Sequence, residues 1–137
     1  MSGKTPDWMP ELFFCHRYEF AVVADQLGFR IGTRADQFQS NRAQKLLDDG
    51  FTIDFVDNDF ENPDRDQLET IIDKTNSTYA VLPDIYDESD VGSVITFGRK
   101  LEDTYGTTPI VVPKCEFNHK RIPDDWILGF SVPSGYG

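Results

Sequence analysis

The sequence predicts an α/β fold built from parallel β-α repeats. Short apolar runs, typical of buried strands, alternate with longer segments whose apolar residues recur at helical spacing. Gly28, Gly50 and Gly106 follow three of the helical segments, where a left-handed glycine commonly ends a helix. Strands and helices that alternate in this way indicate a parallel sheet with helical crossovers.

The predicted strands are the apolar runs of the chain. They are LFFCH (12–16), FRIGT (29–33), FTIDFVD (51–57), YAVLPD (79–84), PIVVP (109–113) and WILGF (126–130). Most of these runs are apolar at consecutive positions, and a strand that is buried on both faces in a parallel sheet has this pattern. They therefore fit the strands of the parallel sheet that the β-α order indicates.

Helices are predicted between these strands. They cover residues 19–28, 41–50, a segment that begins at Pro63, and 90–105. Ser40 is the predicted N-cap of the second helix, and Asn62 that of the third, with Pro63 at the first helical position, where a missing N–H costs nothing. The third helix places three apolar residues on one face: Leu68, Ile71 and Ile72.

Composition indicates one globular domain over residues 1–137 with an acidic surface. The net charge is −11, from 24 acidic and 13 basic residues spread along the chain, which resembles the composition of proteins from halophilic archaea and their viruses. Without clustered Lys and Arg, contact with nucleic acid phosphates is disfavoured at low salt. No apolar run is long enough for a membrane helix and the N-terminus does not resemble a signal peptide, so we expect a cytoplasmic protein that does not contact membranes.

The two cysteines do not indicate a metal site. Cys15 and Cys115 are far apart in the chain and neither belongs to a CxxC pair. A minor alternative is a site of four ligands, formed if Cys15 and His16 met Cys115 and His119 on neighbouring strands. The prediction includes no metal and no cofactor.

Polar residues follow the ends of the predicted strands. They are His16 and Arg17, Asp57 and Asp59, Asp84 and Asp87, Lys114, and Ser131. The carboxyl ends of parallel strands meet at one edge of a sheet, and ligands bind there in α/β folds. We therefore expect Asp57, Asp84, Lys114 and the glycine-containing loop after Gly129 to face a common site.

Structural roles are the alternatives for these residues. The segment 57–59 fits a turn, since Asp and Asn commonly start turns. Lys114 fits a solvated residue at the rim, and His16 a hydrogen-bonded histidine of the core. Asp87 with Glu88 fits a helix cap better than a catalytic pair.

Four strand-end segments carry a resemblance to a known family. DFVDNDF, YAVLPDIYD, PIVVPKCEF and WILGFSVPSGYG resemble, in this order, segments of tRNA-guanine transglycosylases and of the related viral enzymes that insert 7-deazaguanine bases into DNA. The last two segments also resemble uncharacterised haloarchaeal and viral proteins. The resemblance covers about residues 50–137 and implies a partial TIM-barrel-like fold, the N-terminal part of a larger (β/α) barrel, since such barrels take about 250 residues. A small open doubly wound sheet is the alternative.

The resemblance implies an enzyme that recognises a guanine or 7-deazaguanine base for base exchange in DNA or tRNA. Asp57 is then the candidate catalytic residue, and Asp84 accepts hydrogen bonds from the donor edge of the base together with it. The other candidate substrate-binding residues are Lys114, which orients the base or meets a phosphate, and Gly129 and Ser131, in the loop that supplies backbone N–H groups. The nucleophile would lie beyond Gly137, and a second chain would complete the barrel.

Two departures from the family pattern separate this chain from the tRNA enzymes. Their cysteine-rich zinc site is absent, and their DSGG run reads DNDF here. Two other classes of function remain as alternatives. One is a non-catalytic α/β module that binds a purine-like ligand, and the other is a viral structural or assembly protein.

Overall fold

Six parallel strands form one sheet in the computed structural model, which describes residues 11–130. The strands are β1 (Phe13–Phe14), β2 (Arg30–Arg34), β3 (Ile53–Asp57), β4 (Tyr79–Val81), β5 (Thr108–Val111) and β6 (Ile127–Leu128). Each pairs in parallel with the next, so the order in the sheet is the order in the chain. The predicted α/β fold of parallel β-α repeats is confirmed.

The sheet is open within the described residues. β1 and β6 lie at opposite edges and do not pair with each other, so the strands do not close into a barrel. None of the helices in residues 11–130 is long and apolar enough to span a membrane.

Four α-helices connect the strands in the described part of the chain. They are α1 (Tyr18–Gln26), α2 (Ala43–Asp48), α3 (Arg65–Thr75) and α4 (Val91–Tyr105). Gly28, Gly50 and Gly106 have positive φ angles after α1, α2 and α4, so the predicted helix ends are confirmed. No α-helix lies between β5 and β6, where His119–Arg121 forms a short 3₁₀ turn.

The helices pack on the sheet around one apolar core. α1 contacts β2, α3 contacts β3 and α4 contacts β5, while α1 touches α2 and α3 touches α4. The three apolar residues predicted on one face of α3 are all buried in this core. The core also contains residues from several strands and their ends: Ile31, Ile53, Val56, Leu82 and Val111.

An aromatic cluster lies on the other face of the sheet. The ring centroid of Phe13 is 5.1 Å from that of Phe55 and 5.8 Å from that of Tyr79. β1 and β4 are three strand spacings apart, about 14 Å, so the side chains of Phe13 and Tyr79 lean toward each other across β2 and β3. Gly32 of β2 makes room for the contact, since a Cβ there would lie 2.8 Å from Cys15 Sγ and 2.9 Å from Phe55 Cδ1.

Two predicted helix caps are wrong. Ser40 does not cap α2, because its hydroxyl donates to the carbonyl of Gln37 at 3.2 Å and α2 begins two residues later than predicted, at Ala43. Asn62 does not cap α3. Asp64 is the N-cap, and its carboxylate accepts a hydrogen bond from the N–H of Gln67 at 3.0 Å. Pro63 therefore precedes the cap and does not lie in the first helical turn.

The cap of α3 can be tested with two alanine substitutions. Asp64→Ala is expected to lower the free energy of unfolding by about 1 kcal/mol, because the Gln67 N–H loses its acceptor and a negative charge is removed from the helix N-terminus. Asn62→Ala is the control, with an expected change of less than about 0.5 kcal/mol. Urea denaturation of both variants measures the difference. A larger loss of stability for Asn62→Ala than for Asp64→Ala would mean that Asn62 is the N-cap of α3, as the sequence predicts.

Candidate functional site

Asp57 is the last residue of β3, the strand that also carries Phe55 of the aromatic cluster. It is two residues after Phe55, so its side chain lies on the same face of the sheet as Phe55. Its carboxylate accepts the N–H of Asn58 at 2.8 Å. Burial raises the pKa of Asp57 above its ordinary value and the negative charge of Asp84 adds to this, while the Asn58 N–H and the positive charge of Arg34 oppose it.

Asp84 and Lys114 lie together beyond the ends of β4 and β5. The Nζ of Lys114 is 4.0 Å from Oδ2 of Asp84, whose side chain is only 9% exposed. Tyr86 donates its hydroxyl to the same oxygen at 3.3 Å. The backbone holds this pair in register, because Lys114 donates its N–H to the carbonyl of Ile85 at 2.8 Å and Ile85 donates to Val112 at 3.0 Å.

The structure therefore brings three of the predicted site residues to one edge of the sheet. Asp57, Asp84 and Lys114 follow β3, β4 and β5, which are neighbours, at their carboxyl ends. The negative charge of Asp84 contributes to the raised pKa of Asp57. This juxtaposition follows from the parallel order of the strands.

Gly129 is not the hydrogen-bond donor that the family resemblance implies. Its N–H donates to the carbonyl of Val111 at 2.7 Å, because the ladder between β5 and β6 extends to this residue. A Cβ at Gly129 would lie 2.9 Å from Cγ2 of Ile110, so the glycine allows close packing against β5. Ser131 lies outside the described residues.

Arg34, at the end of β2, is a neighbour of the site that is not among the residues predicted from the sequence. Its guanidinium binds both carboxylate oxygens of Asp36, at 3.0 and 2.9 Å, and one oxygen of Asp59 at 3.3 Å. Asp59 also accepts the N–H of Glu61 at 3.1 Å, so the turn predicted as its alternative role is confirmed. The sequence feature that could have identified Arg34 is its position directly after the predicted strand FRIGT.

Asn58 is a second neighbour of the site, and the sequence predicts it only as part of a turn. Its side chain is buried, with 3% of the residue exposed. The carboxamide nitrogen donates to the carbonyl oxygens of Val81 at 3.1 Å and Leu82 at 3.0 Å. Its oxygen has no hydrogen-bond partner among the described residues. Asn58 thus joins the end of β3 to the end of β4.

The remaining polar candidates have structural roles. Asp87 accepts the N–H of Ser89 at 2.9 Å ahead of the 3₁₀ turn Glu88–Asp90, so the helix-cap interpretation is confirmed. His16 is exposed, and the interpretation as a core histidine is wrong. Its Nδ1 accepts the N–H of Arg17 at 2.8 Å.

Neither cysteine forms a reactive or metal-binding site with the described residues. Burial raises the pKa of the Cys15 thiol to about 11, helped by the charge of Asp57 and opposed by Arg34, so the thiol is protonated at neutral pH and is a poor nucleophile. Cys115 follows β5, which is four strand spacings, about 19 Å, from β1. The four-ligand alternative is therefore wrong, and within residues 11–130 no three His, Cys, Asp or Glu side chains are placed to hold a metal ion.

The site combines two hydrogen-bond acceptors with one cation. Asp57 and Asp84 supply carboxylate oxygens, and Lys114 supplies an ammonium group beside Asp84. Arg34 is already bound by Asp36 and Asp59. The arrangement suits a small polar ligand that presents N–H donors next to an acceptor.

Comparison with known proteins gave one match. The model of a family of unknown function, DUF6610, matches residues 24–137, which include the three residues that converge at the sheet edge. No curated protein and no solved structure matched.

Proposed function

We propose that this chain, which belongs to the family of unknown function DUF6610, binds a guanine-type base at the carboxyl ends of β3, β4 and β5. Asp57 and Asp84 accept hydrogen bonds from the base and Lys114 donates one. The observation that supports the proposal is that these three residues lie at the carboxyl ends of neighbouring strands, with Lys114 Nζ 4.0 Å from Asp84.

Asp57 has the properties of a carboxylate that gains from a donor ligand. Burial disfavours its charged form, and the one hydrogen bond that the described residues give its carboxylate comes from the Asn58 N–H. A buried carboxylate is stabilised when further N–H groups are directed at it. A bound ligand that offers such groups would therefore interact with Asp57 more strongly than water does.

Guanine fits this set of groups better than the other bases. Its ring N–H and exocyclic amine are adjacent donors, which match the two oxygens of a carboxylate, and its carbonyl oxygen is an acceptor for an ammonium group on the same edge. Adenine and cytosine place one amino group beside an unprotonated ring nitrogen, which would face a carboxylate oxygen unfavourably. A 7-deazaguanine keeps the whole donor edge of guanine, so both bases belong to the ligand class.

In our proposal, this chain recognises the base in a base-exchange reaction like that of the transglycosylases. Both carboxylates are engaged by the base in this arrangement, so the attack on the sugar would need a nucleophile outside the pair. The net charge of −11 weakens contact with phosphates, and a base or nucleoside is the ligand that the chain binds by itself.

Calorimetric titration of guanosine, inosine and 7-deazaguanosine tests the proposal. Inosine lacks only the exocyclic amine, and we expect it to bind at least about tenfold more weakly than guanosine, because one hydrogen bond to a charged group is lost. 7-Deazaguanosine is expected to bind like guanosine.

Asp84→Asn is expected to weaken guanosine binding by about tenfold to a hundredfold, because an amide replaces a charged acceptor. The matched control is Asp103→Asn, which makes the same change at an exposed position of α4 and should leave binding unchanged. Absence of saturable binding by either guanine-type nucleoside, or equal affinities in wild type and Asp84→Asn, would rule out the proposed site.

A further inference from the structure

The carboxamide of Asn58 replaces backbone pairing where β3 and β4 separate. The ladder between the two strands pairs Phe55 with Tyr79 and Val56 with Ala80, and there it ends. Two residues after Val56, just past the end of β3, the Asn58 side-chain nitrogen donates to the carbonyl oxygens of Val81 and Leu82. One buried side chain therefore holds the strand ends together beyond the last backbone pair.

The segment that carries Asp84 is held from both sides. On the β5 side, Leu82 donates its N–H to Ile110 at 2.9 Å and Ile85 donates to Val112 at 3.0 Å. On the β3 side, the contacts to its carbonyl groups come from Asn58. The backbone N–H of the same asparagine donates to the carboxylate of Asp57. Asn58 thus contacts one site carboxylate directly and the backbone that leads to the other.

We propose that Asn58 is a positioning residue, whose carboxamide sets the separation between the carboxylates of Asp57 and Asp84. The functional meaning of this inference rests on the proposed base site, but the positioning itself can be measured without a ligand. A purely structural role would stabilise the fold and leave the interaction between the two carboxylates unchanged by any substitution that keeps the protein folded.

Carbon-detected NMR titration of the Asp57 carboxyl group measures that interaction. In the wild type, Asp84→Asn should lower the pKa of Asp57, because a neighbouring negative charge is removed. In an Asn58→Leu background the same substitution should have less than half of this effect, because Leu is also branched at Cγ but has no N–H to donate to the carbonyl groups of Val81 and Leu82. Asn58→Ser, which is too short to reach them, provides a second variant if Asn58→Leu does not fold.

Thr107→Val is the control for a general loss of stability. Thr107 is also buried, and its hydroxyl donates to the carbonyl of Ser77 at 2.9 Å, ahead of the first residues of β4 and β5 and so at the opposite end of the sheet. This variant should keep the full effect of Asp84→Asn on Asp57. If the folded Asn58 variants also keep the full effect, the positioning role is wrong. This result would leave the base site untouched, since guanosine binding is measured separately.

Discussion

Replacement of Gly98 by leucine is expected to lower the free energy of unfolding by about 3 kcal/mol, the upper range for overpacking a core. Gly98 lies in α4, where it faces Trp126 and Leu82. A Cβ at this position would lie 2.5 Å from Cη2 of Trp126 and 2.9 Å from Cδ1 of Leu82. Trp126 cannot move aside easily, because it is 7% exposed and its indole N–H donates to Glu102 at 3.2 Å.

Gly92 offers a matched control in the same helix. The nearest atom to a Cβ at Gly92 is 4.0 Å away, in the side chain of Arg121. Gly92→Leu should therefore leave stability unchanged or raise it by up to about 1 kcal/mol, since leucine is a better helix former than glycine. Urea denaturation of both variants separates packing from helix propensity. Equal changes in stability would mean that α4 does not pack on Trp126 and Leu82 as described.

The close packing at Gly98 also connects the helix layer to the candidate site. Leu82 donates its N–H to Ile110 and accepts from Asn58, two residues before Asp84. A side chain that displaces Leu82 would therefore shift the segment that carries the site carboxylate. Helix α4 contributes to the site through this contact without supplying a polar group to it.

The fold could be predicted because the sequence signals agree with one another. The apolar runs, the helical spacing in α3 and α4, and the glycines at helix ends all indicate the same β-α order. The caps could not be predicted as well, because several residues near each helix start are able to cap. The choice between Asn62 and Asp64 depends on the path of the chain after β3, which local preference does not determine.

The site could be predicted where it depends on strand order alone. Asp57, Asp84 and Lys114 come together because neighbouring parallel strands end at the same edge. Arg34 and Asn58 were missed because their roles depend on partners in other strands and loops, which spacing does not reveal. Gly129 lies inside the predicted strand 126–130, and its N–H pairs with β5 as that strand predicts, whereas the family resemblance assigns it to a loop that binds the ligand.

Asp57→Asn is expected to have opposite effects on binding and stability. Guanosine affinity should fall by about tenfold to a hundredfold, because the charged acceptor of the donor edge is lost. Stability at pH 7 should rise by about 0.5 to 2 kcal/mol, the usual size of the effect of a single stabilising substitution. The neutral amide avoids the cost of burying a charge, and its oxygen can still accept the N–H of Asn58.

The pH dependence identifies burial of the charge as the cause of the stability gain. Because the pKa of Asp57 is raised in the folded state, the folded protein binds this proton more tightly than the unfolded chain does. The contribution of Asp57 to stability therefore falls as pH rises from the unfolded pKa, about 3.9, through the raised folded pKa. Below that window the residue is protonated in both states, and the gain from Asp57→Asn should disappear. Above the window the gain should be complete and constant.

Chemical denaturation of wild type, Asp57→Asn and Asp103→Asn between pH 3 and pH 8 measures this window. Asp103→Asn makes the same change at an exposed position of α4, so a gain seen in both variants would not be specific to Asp57. A gain for Asp57→Asn that is the same at pH 3 and pH 8 would mean that the amide stabilises by packing. A loss of stability for Asp57→Asn at pH 8 would mean that the attraction of Arg34 for the Asp57 carboxylate outweighs the cost of burying its charge. Asp57 would then not be a carboxylate that further N–H donors stabilise.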